Sequence, residues 1–321
     1  MIVTVTPNPS LDRTLEVEEL RRGKVVRAHA VRSDPGGKGV NVSRALAANG
    51  HASRAVLPLG GTDGRVLASL LEGLGVEVAA VPIAEPTRSN VTVVEPDGTV
   101  TKLNAPGPTL SADEVEALLE RSVAAADGAT WLVASGSLAP GTPQDLYARL
   151  AEAVRPVGVR VAMDSSGAAL ERALASGPDV LKPNEEELSE VTGVILRTLG
   201  DVVVAARELR SKGVGAVLVS LGPTGAVLVD DELVLHAESR AVVPRSTVGA
   251  GDALLAGFLA AGGEGPDALA EGIVWGTAAC ILPGTAVPGP ADLQRDQVVT
   301  HPVDPERWLA LRDERPSATH A

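Results

Sequence analysis

Short apolar runs rich in Val, Ala and Leu alternate with segments of helical period along most of this chain, and that alternation limits the fold more than any other feature. Extended runs fall at residues 1–6, 54–59, 76–82, 130–134, 159–163, 179–181 and 216–220. Between them, Val40, Val42, Leu46 and Ala47 recur at helix spacing, and Asn49-Gly50 stops that segment. Further helices are predicted over 63–74, from Ser111 with Glu114 as its capping-box partner, from Thr142, and over 185–192 and 200–212. Strands feeding helices in this order imply a mostly parallel sheet covered on both faces. Two short strands, 226–229 and 233–236, follow, and then helices over 250–261 and 268–282.

Two patches break the alternation. Residues 88–104 are dominated by Thr, Val and Asn, and Pro96-Asp97-Gly98 between two extended runs is a hairpin signal. Together with a mixed segment near 11–33, residues 85–104 are expected to form a small β lid on a single α/β domain spanning 1–321. Val91, Val93, Val100 and Leu103 would leave apolar side chains on that lid in water. A homodimer whose lids cover each other is therefore expected. The tail beyond Pro302 is polar and Pro-rich, and 312–321 are expected to be disordered.

The formal net charge of -13 argues against nucleic acid or an anionic membrane as a partner. Trp131, Trp275, Trp308, Tyr147 and Phe258 are the only aromatics, too few for base-stacking platforms. No uninterrupted apolar run reaches the ~18 residues of a membrane span. The N-terminus reads as a short strand, without the charged and apolar regions of a signal peptide. Cys280 is the sole cysteine, which precludes an intrachain disulfide and fits a reducing cytoplasm. His29, His51, His236, His301 and His320 are scattered without metal-ligand spacing. Lysine occurs only at 24, 38, 102, 182 and 212, so Lys38 in a Gly-rich stretch and Lys182 before Pro-Asn stand out.

Chemistry concentrates first at Gly249-Ala250-Gly251-Asp252, which opens an apolar helix. Small residues let backbone N–H groups approach an anion, and the helix start adds positive potential. Such a hole stabilises charge on a transferring phosphoryl group, and Asp252 in the first turn can accept a hydroxyl proton. Taken alone, the motif reads equally well as a helix capped by Asp. It is not a dinucleotide fingerprint, because Leu254 stands where a third Gly is needed. The second concentration is Gly36-Gly37-Lys38-Gly39-Val40-Asn41. Arg32 in place of the first Gly, and Gly39 after the Lys, rule out a Walker A loop. Lys38 offers charge there, and Asn41 both a donor and an acceptor.

In chain order come Thr6-Pro7-Asn8-Pro9-Ser10-Leu11-Asp12, Gly36-Gly37-Lys38-Gly39-Val40-Asn41-Val42, Thr87-Arg88-Ser89-Asn90 and Ser135-Gly136-Ser137-Leu138. Lys182-Pro183-Asn184-Glu185-Glu186-Glu187-Leu188, Ser220-Leu221-Gly222-Pro223-Thr224-Gly225-Ala226 and the Gly-Ala-Gly-Asp segment follow. This ordered set resembles the PfkB family of ribokinase-like sugar kinases, and is most similar to its phosphosugar branch. The resemblance implies a three-layer α/β/α fold with a mostly parallel central sheet and a β-sheet lid. It implies ATP and Mg²⁺ as cofactors and a ketohexose phosphate as substrate. Fructose 1-phosphate comes first, with fructose 6-phosphate or tagatose 6-phosphate as alternatives. Asp252 would be the base, and Gly249, Ala250 and Gly251 the anion hole. Asp12, Gly37, Lys38 and Asn41 would hold sugar hydroxyls. Arg88 would bind the substrate phosphate, with Asn90, Ser137 and Lys24 nearby. Lys182, Asn184, Ser220, Gly222, Thr224 and Gly225 would line the ATP site. Asn184 and Glu187 would hold Mg²⁺ through water, as residues i and i+3 on one helix face.

Plainer readings stand beside these. Glu185, Glu186 and Glu187 also suit a helix dipole, Asp12 a turn, and Ser137 a backbone cap. A non-catalytic sugar-phosphate sensor would not need Asp252. Ile281-Leu282-Pro283-Gly284-Thr285-Ala286-Val287 departs from the family where the adenine and a monovalent cation would lie.

Overall fold

A computed structural model describes residues 1–240 and 242–310. The expectation of disorder over 312–321 lies outside the described residues.

The parallel core is built from β1 (Ile2–Val5), β4 (Ser53–Leu59), β5 (Glu77–Pro82), β8 (Trp131–Ser135), β9 (Arg160–Asp164), β10 (Val180–Leu181) and β11 (Ala216–Ser220). Antiparallel β12 (Ala226–Val229), β13 (Val234–Ser239) and β14 (Val298–Pro302) extend one edge. The order is β14-β13-β12-β11-β10-β9-β8-β1-β4-β5. These strands read as near-continuous apolar runs because both faces are covered. Val3, Val5, Leu132, Ala134, Val161 and Met163 face one layer, while Ile2, Trp131, Val133 and Ala162 face the other.

The first layer holds α3 (Ala112–Ala125), α4 (Leu146–Val154), α5 (Gly167–Leu174), α6 (Glu185–Thr192) and α7 (Leu199–Ser211). The second holds α1 (Lys38–Ala48), α2 (Gly61–Gly73), α8 (Ala250–Ala260) and α9 (Gly265–Ile281). Ser111 and Glu114 form the anticipated capping box. The helix expected from Thr142 begins only at Leu146. Thr142 and Leu146 first close turns onto Ala139 and Pro143, so the chain enters the helix one turn later. Helix α9 begins before the expected residue 268, with Pro266 in its first turn where a missing N–H costs nothing. α8 is apolar all round and therefore buried. It packs tightly on α9 because glycines line the crossing: a Cβ on Gly257 would lie 2.7 Å from Glu271 O, and one on Gly272 2.9 Å from Leu254 O.

The lid is a second sheet of β2 (Ser10–Glu16), β3 (Ala30–Gly36), β6 (Arg88–Val94) and β7 (Val100–Leu103), ordered β3-β2-β6-β7. It extends to Gly36, which hands directly to α1. The register puts Leu15 opposite Val31 and Val93, and Val91 opposite Leu103, so these apolar residues share one face. Val100 pairs with Val94 and so lies on the other face, because the turn at 95–99 sets a register that sequence alternation does not show. That other face carries Arg88, Asp12 and Asn90. Residues 303–310 dock rather than trail away: Leu309 N–H donates to Arg197 O, and Leu199 N–H to Arg307 O.

No described helix is long and apolar enough to cross a membrane.

Candidate active site

All parallel strands end at one edge, and the chain switches direction there between β1 and β8, the place where open α/β sheets form ligand crevices. Gly39, at the start of α1, fills the gap between those strand ends. A Cβ on it would meet Thr6 Oγ1 at 2.4 Å and Ser135 Oγ at 2.9 Å, so only glycine brings α1 this close.

At the neighbouring helix start, Gly249 takes a left-handed backbone (φ 78°). The first intrahelical bond of α8 is Ala253 N–H to Gly249 O at 2.8 Å. The N–H groups of Gly251 and Asp252 precede it and are free to face an anion. Asp252 is buried beside them, and Asn41 Nδ2 donates to its Oδ2 at 2.8 Å. Burial first and the charge of Asp164 second push the Asp252 carboxyl up to about 6, against the pull of Asn41, Lys182 and Lys38.

Asp164, at the end of β9, is the residue that joins these parts. Its Oδ1 accepts from Lys38 Nζ at 2.7 Å, and its Oδ2 faces Lys182 Nζ at 3.0 Å. Burial opposes its charge, but the two lysines hold it below the usual carboxylate range. Lys38 also donates to Glu187 Oε1 at 3.2 Å. Burial alone would depress the Lys38 ammonium, yet Asp164 and Glu187 hold it well above its ordinary value. Lys182 reaches the anion hole itself: a Cβ on Gly251 would lie 3.4 Å from its Nζ. Asp164 escaped the sequence reading. Its only signal is position, a carboxylate at a strand end on the ligand edge of the sheet.

Lys182, Asn184 and Ser220, expected on the nucleotide side, converge at the ends of β10 and β11, where Asn184 and Ser220 form a bridge. Asn184 and Glu187 make a reciprocal capping box at the start of α6. Glu187 Oε2 is used in it, while Oε1 turns to Lys38. Two carboxylates, Asp164 and Glu187, thus flank one ammonium beside the anion hole. That donor set fits a divalent cation held through water. Gly222–Thr224 forms a tight turn before β12. Thr224 is buried, its Oγ1 accepting from Ala310 N–H. Gly225 lies against β13, where a Cβ would meet Ala237 O at 2.1 Å.

The lid supplies a polar cluster. Asp12 Oδ1 accepts from Ser10 Oγ at 2.7 Å and from Asn90 Nδ2 at 2.9 Å. Arg88 donates to Ala105 O at 2.8 Å and Asn8 O at 2.9 Å, while its buried Nε has no partner. Burial lowers the Arg88 pKa, and the charge of Asp12 offsets part of that. Asn8 was not singled out from sequence. Its Nδ2 ties Pro106 O, at 3.0 Å, toward Ser137 Oγ, at 3.5 Å, and so joins the lid to the β8 loop. Gly37 adopts φ 120° and its Cα packs over Thr6. Lys24 lies in the exposed turn between β2 and β3. Arg44, also missed, is buried and donates to Pro35 O, Asn41 Oδ1 and Thr285 O. It therefore links the lid root, the partner of Asp252 and the loop that departs from the family.

The profile of the pfkB family carbohydrate kinases matches residues 8–279. The ATP-dependent 6-phosphofructokinase isozyme 2 of Mycobacterium tuberculosis (strain ATCC 25618 / H37Rv) is 37% identical over 324 residues, covering 95% of each chain. The 1-phosphofructokinase of Rhodobacter capsulatus is 40% identical over 272 residues, 84% of this chain and 86% of that protein. Among solved structures, the phosphofructokinase-2 from Escherichia coli in complex with potassium aligns with a TM-score of 0.86 and 37% identity, over 91% of this chain and 96% of that one. The chain belongs to the pfkB family of carbohydrate kinases, and its fold is the ribokinase-like one expected from the resemblance.

Proposed function

We propose that this chain transfers the γ-phosphoryl group of ATP to a ketohexose phosphate, with fructose 1-phosphate as acceptor and fructose 1,6-bisphosphate as product. The observation that carries the reading is the buried Asp252 carboxylate in the first turn of α8, where the Lys182 ammonium reaches the neighbouring Gly251. A carboxyl poised near 6 is ionised at neutral pH yet basic enough to take a hydroxyl proton. The N–H groups of Gly251 and Asp252, with Lys182, then face the charge that builds on the transferring group. A Mg²⁺ ion, when bound, would supply charge neutralisation for the phosphates. Asp164 and Glu187 would hold it through water.

Arg88 supports a phosphorylated acceptor. A dianion removed from water must be paired, and a guanidinium held by two backbone carbonyls presents a fixed fork. Asp12 and Asn90, on the same face of the lid, would take sugar hydroxyls. Lys24 would reach the phosphate only by folding its turn inward. The half-buried Cys280 suits a reducing compartment, the cytoplasm.

Assembly is proposed as a homodimer through the lid. Val31 is 65% and Leu103 61% exposed on the lid face turned away from Asp12 and Asn90. A tetrameric inhibited form is known for the phosphofructokinase-2 from Escherichia coli.

Fructose 6-phosphate is the second reading, favoured by the Mycobacterium tuberculosis relative that spans 95% of the chain. ADP release measured with fructose 1-phosphate, fructose 6-phosphate, tagatose 6-phosphate and free fructose separates them. Preference for fructose 1-phosphate is expected. Preference for a 6-phosphate moves the other end of the sugar to Asp252, and preference for free fructose removes Arg88 from its role.

A further inference from the structure

The antiparallel pairing of β13 and β14 sets His236 directly opposite His301. Glu238, two residues along β13, lies on the same face. One ring nitrogen of each histidine and a carboxylate oxygen of Glu238 lie within 4.8 Å of one another. The rings meet edge to face with centroids 4.8 Å apart. The residues are 65 positions apart along the chain, so no local ligand spacing announces them.

The hydrogen-bond pattern decides which nitrogens are free. His236 Nε2 lies 2.6 Å from Thr224 O, which can only accept, so that nitrogen carries the proton. Nδ1 is left with its lone pair, buried and without a partner on a side chain that is 0% exposed. Such an atom is costly to leave unmatched. His301 Nδ1 lies 3.0 Å from Pro302 O, a carbonyl that can take its N–H when Nε2 is given to another partner. With the proton on Nδ1, Nε2 turns its lone pair toward Glu238 Oε1, 3.3 Å away, and a metal ion can stand between them. His236 thus has its outer nitrogen tied to a backbone carbonyl, and His301 has the same contact open to it, the arrangement that orients metal-binding imidazoles. Glu238 is in turn held by Arg307, whose Nη1 donates to Oε1 at 2.6 Å. A carboxylate has about four lone-pair sites, so Oε1 retains one for a metal.

We propose that His236, Glu238 and His301 form a binding site for one divalent transition-metal ion of the zinc class, completed by water. Two imidazoles and a carboxylate are a donor set that zinc accepts, whereas Mg²⁺ favours oxygen alone. The side chains of His301 and Glu238 are 32% and 28% exposed, which leaves the ion an entry. Bonds of about 2.0–2.2 Å require the three donors to draw in from their spacing of up to 4.8 Å when the ion binds. The ion would pin the Gly222–Thr224 turn through His236 and the 307–310 segment through Glu238 and Arg307. The site is separate from the carboxylates and lysines around Asp252.

The test uses the full chain, stripped with a chelator and kept free of nucleotide and sugar. Co²⁺ titration followed by visible absorption should show one equivalent bound with four-coordinate ligand-field bands. Zn²⁺ should displace it, and Mg²⁺ should not. In His301→Ala and in Glu238→Gln, Zn²⁺ affinity measured against a chromophoric chelator should fall by more than about tenfold. His51→Ala, a change elsewhere on the surface, should leave it unaltered. His301 is partly exposed, so its variant should keep the circular dichroism of the native fold. Failure of the stripped chain to take up an equivalent of Co²⁺, or equal Zn²⁺ affinity in the two site variants and the native chain, overturns the site. No turnover is measured, so this result and the kinase assignment stand or fall separately.

Discussion

Asn41 Nδ2 donates to Asp252 Oδ2 at 2.8 Å and so ties the first turn of α1 to the first turn of α8. Arg44 Nη1 donates to Asn41 Oδ1 at 3.3 Å, which fixes the amide so that its NH₂ faces the carboxylate. The carboxyl therefore has one fixed donor, a like charge nearby in Asp164, and little water.

Asp252→Asn removes the proposed base and keeps the shape. Turnover should fall by roughly 10²–10⁴-fold or more, with nucleotide binding retained. The same variant should be the more stable protein at pH 8. A buried Asp raised to about 6 favours the fold in its protonated state, and that advantage is lost as pH rises from about 4 through 6. The gain in melting temperature should therefore vanish near pH 4. Near-native kcat would exclude Asp252 as the base.

Asp164→Asn should move the acid limb of the kcat/KM profile. In the native chain the limb should lie near pH 6, with activity rising as Asp252 ionises. Removing the second carboxylate deletes a like charge and leaves two lysines, so the limb should shift to lower pH. Leaving Lys38 and Lys182 without their shared partner should also cost about 3–5 kcal/mol in urea unfolding. An unmoved limb would mean that Asp164 does not set the charge of the base.

Arg88→Ala should raise KM for the phosphosugar by ~30-fold, about 2 kcal/mol, and leave KM for ATP nearly unchanged. Equal changes in both constants would place Arg88 in a structural role, holding Asn8 and Ala105 by their carbonyls.

Leu103→Asp puts a charge on the exposed apolar face of the lid, opposite Val91 in the register. Light scattering at micromolar concentration should then show a monomer where the native chain is a dimer. A native chain that is already monomeric would refute pairing through the lid.

Local chemistry is legible in the amino-acid sequence alone. The 3.6-residue period of α1, the Ser111–Glu114 box and the strand runs all depend on contacts within a few residues, so the sequence carries them openly. Gly249–Asp252 likewise declares a glycine-rich helix start, because the glycines and the first turn are adjacent in the chain. What only the tertiary structure decided is which distant groups share a charge. Asp164 reads as an ordinary residue after a strand until the sheet sets it between Lys38, 126 positions away, and Lys182. β14, the face occupied by Val100 and the pairing of His236 with His301 depend on strand register in the same way. Register is settled by long-range packing and turn geometry, and a shift of one residue would turn every one of those side chains to the opposite face.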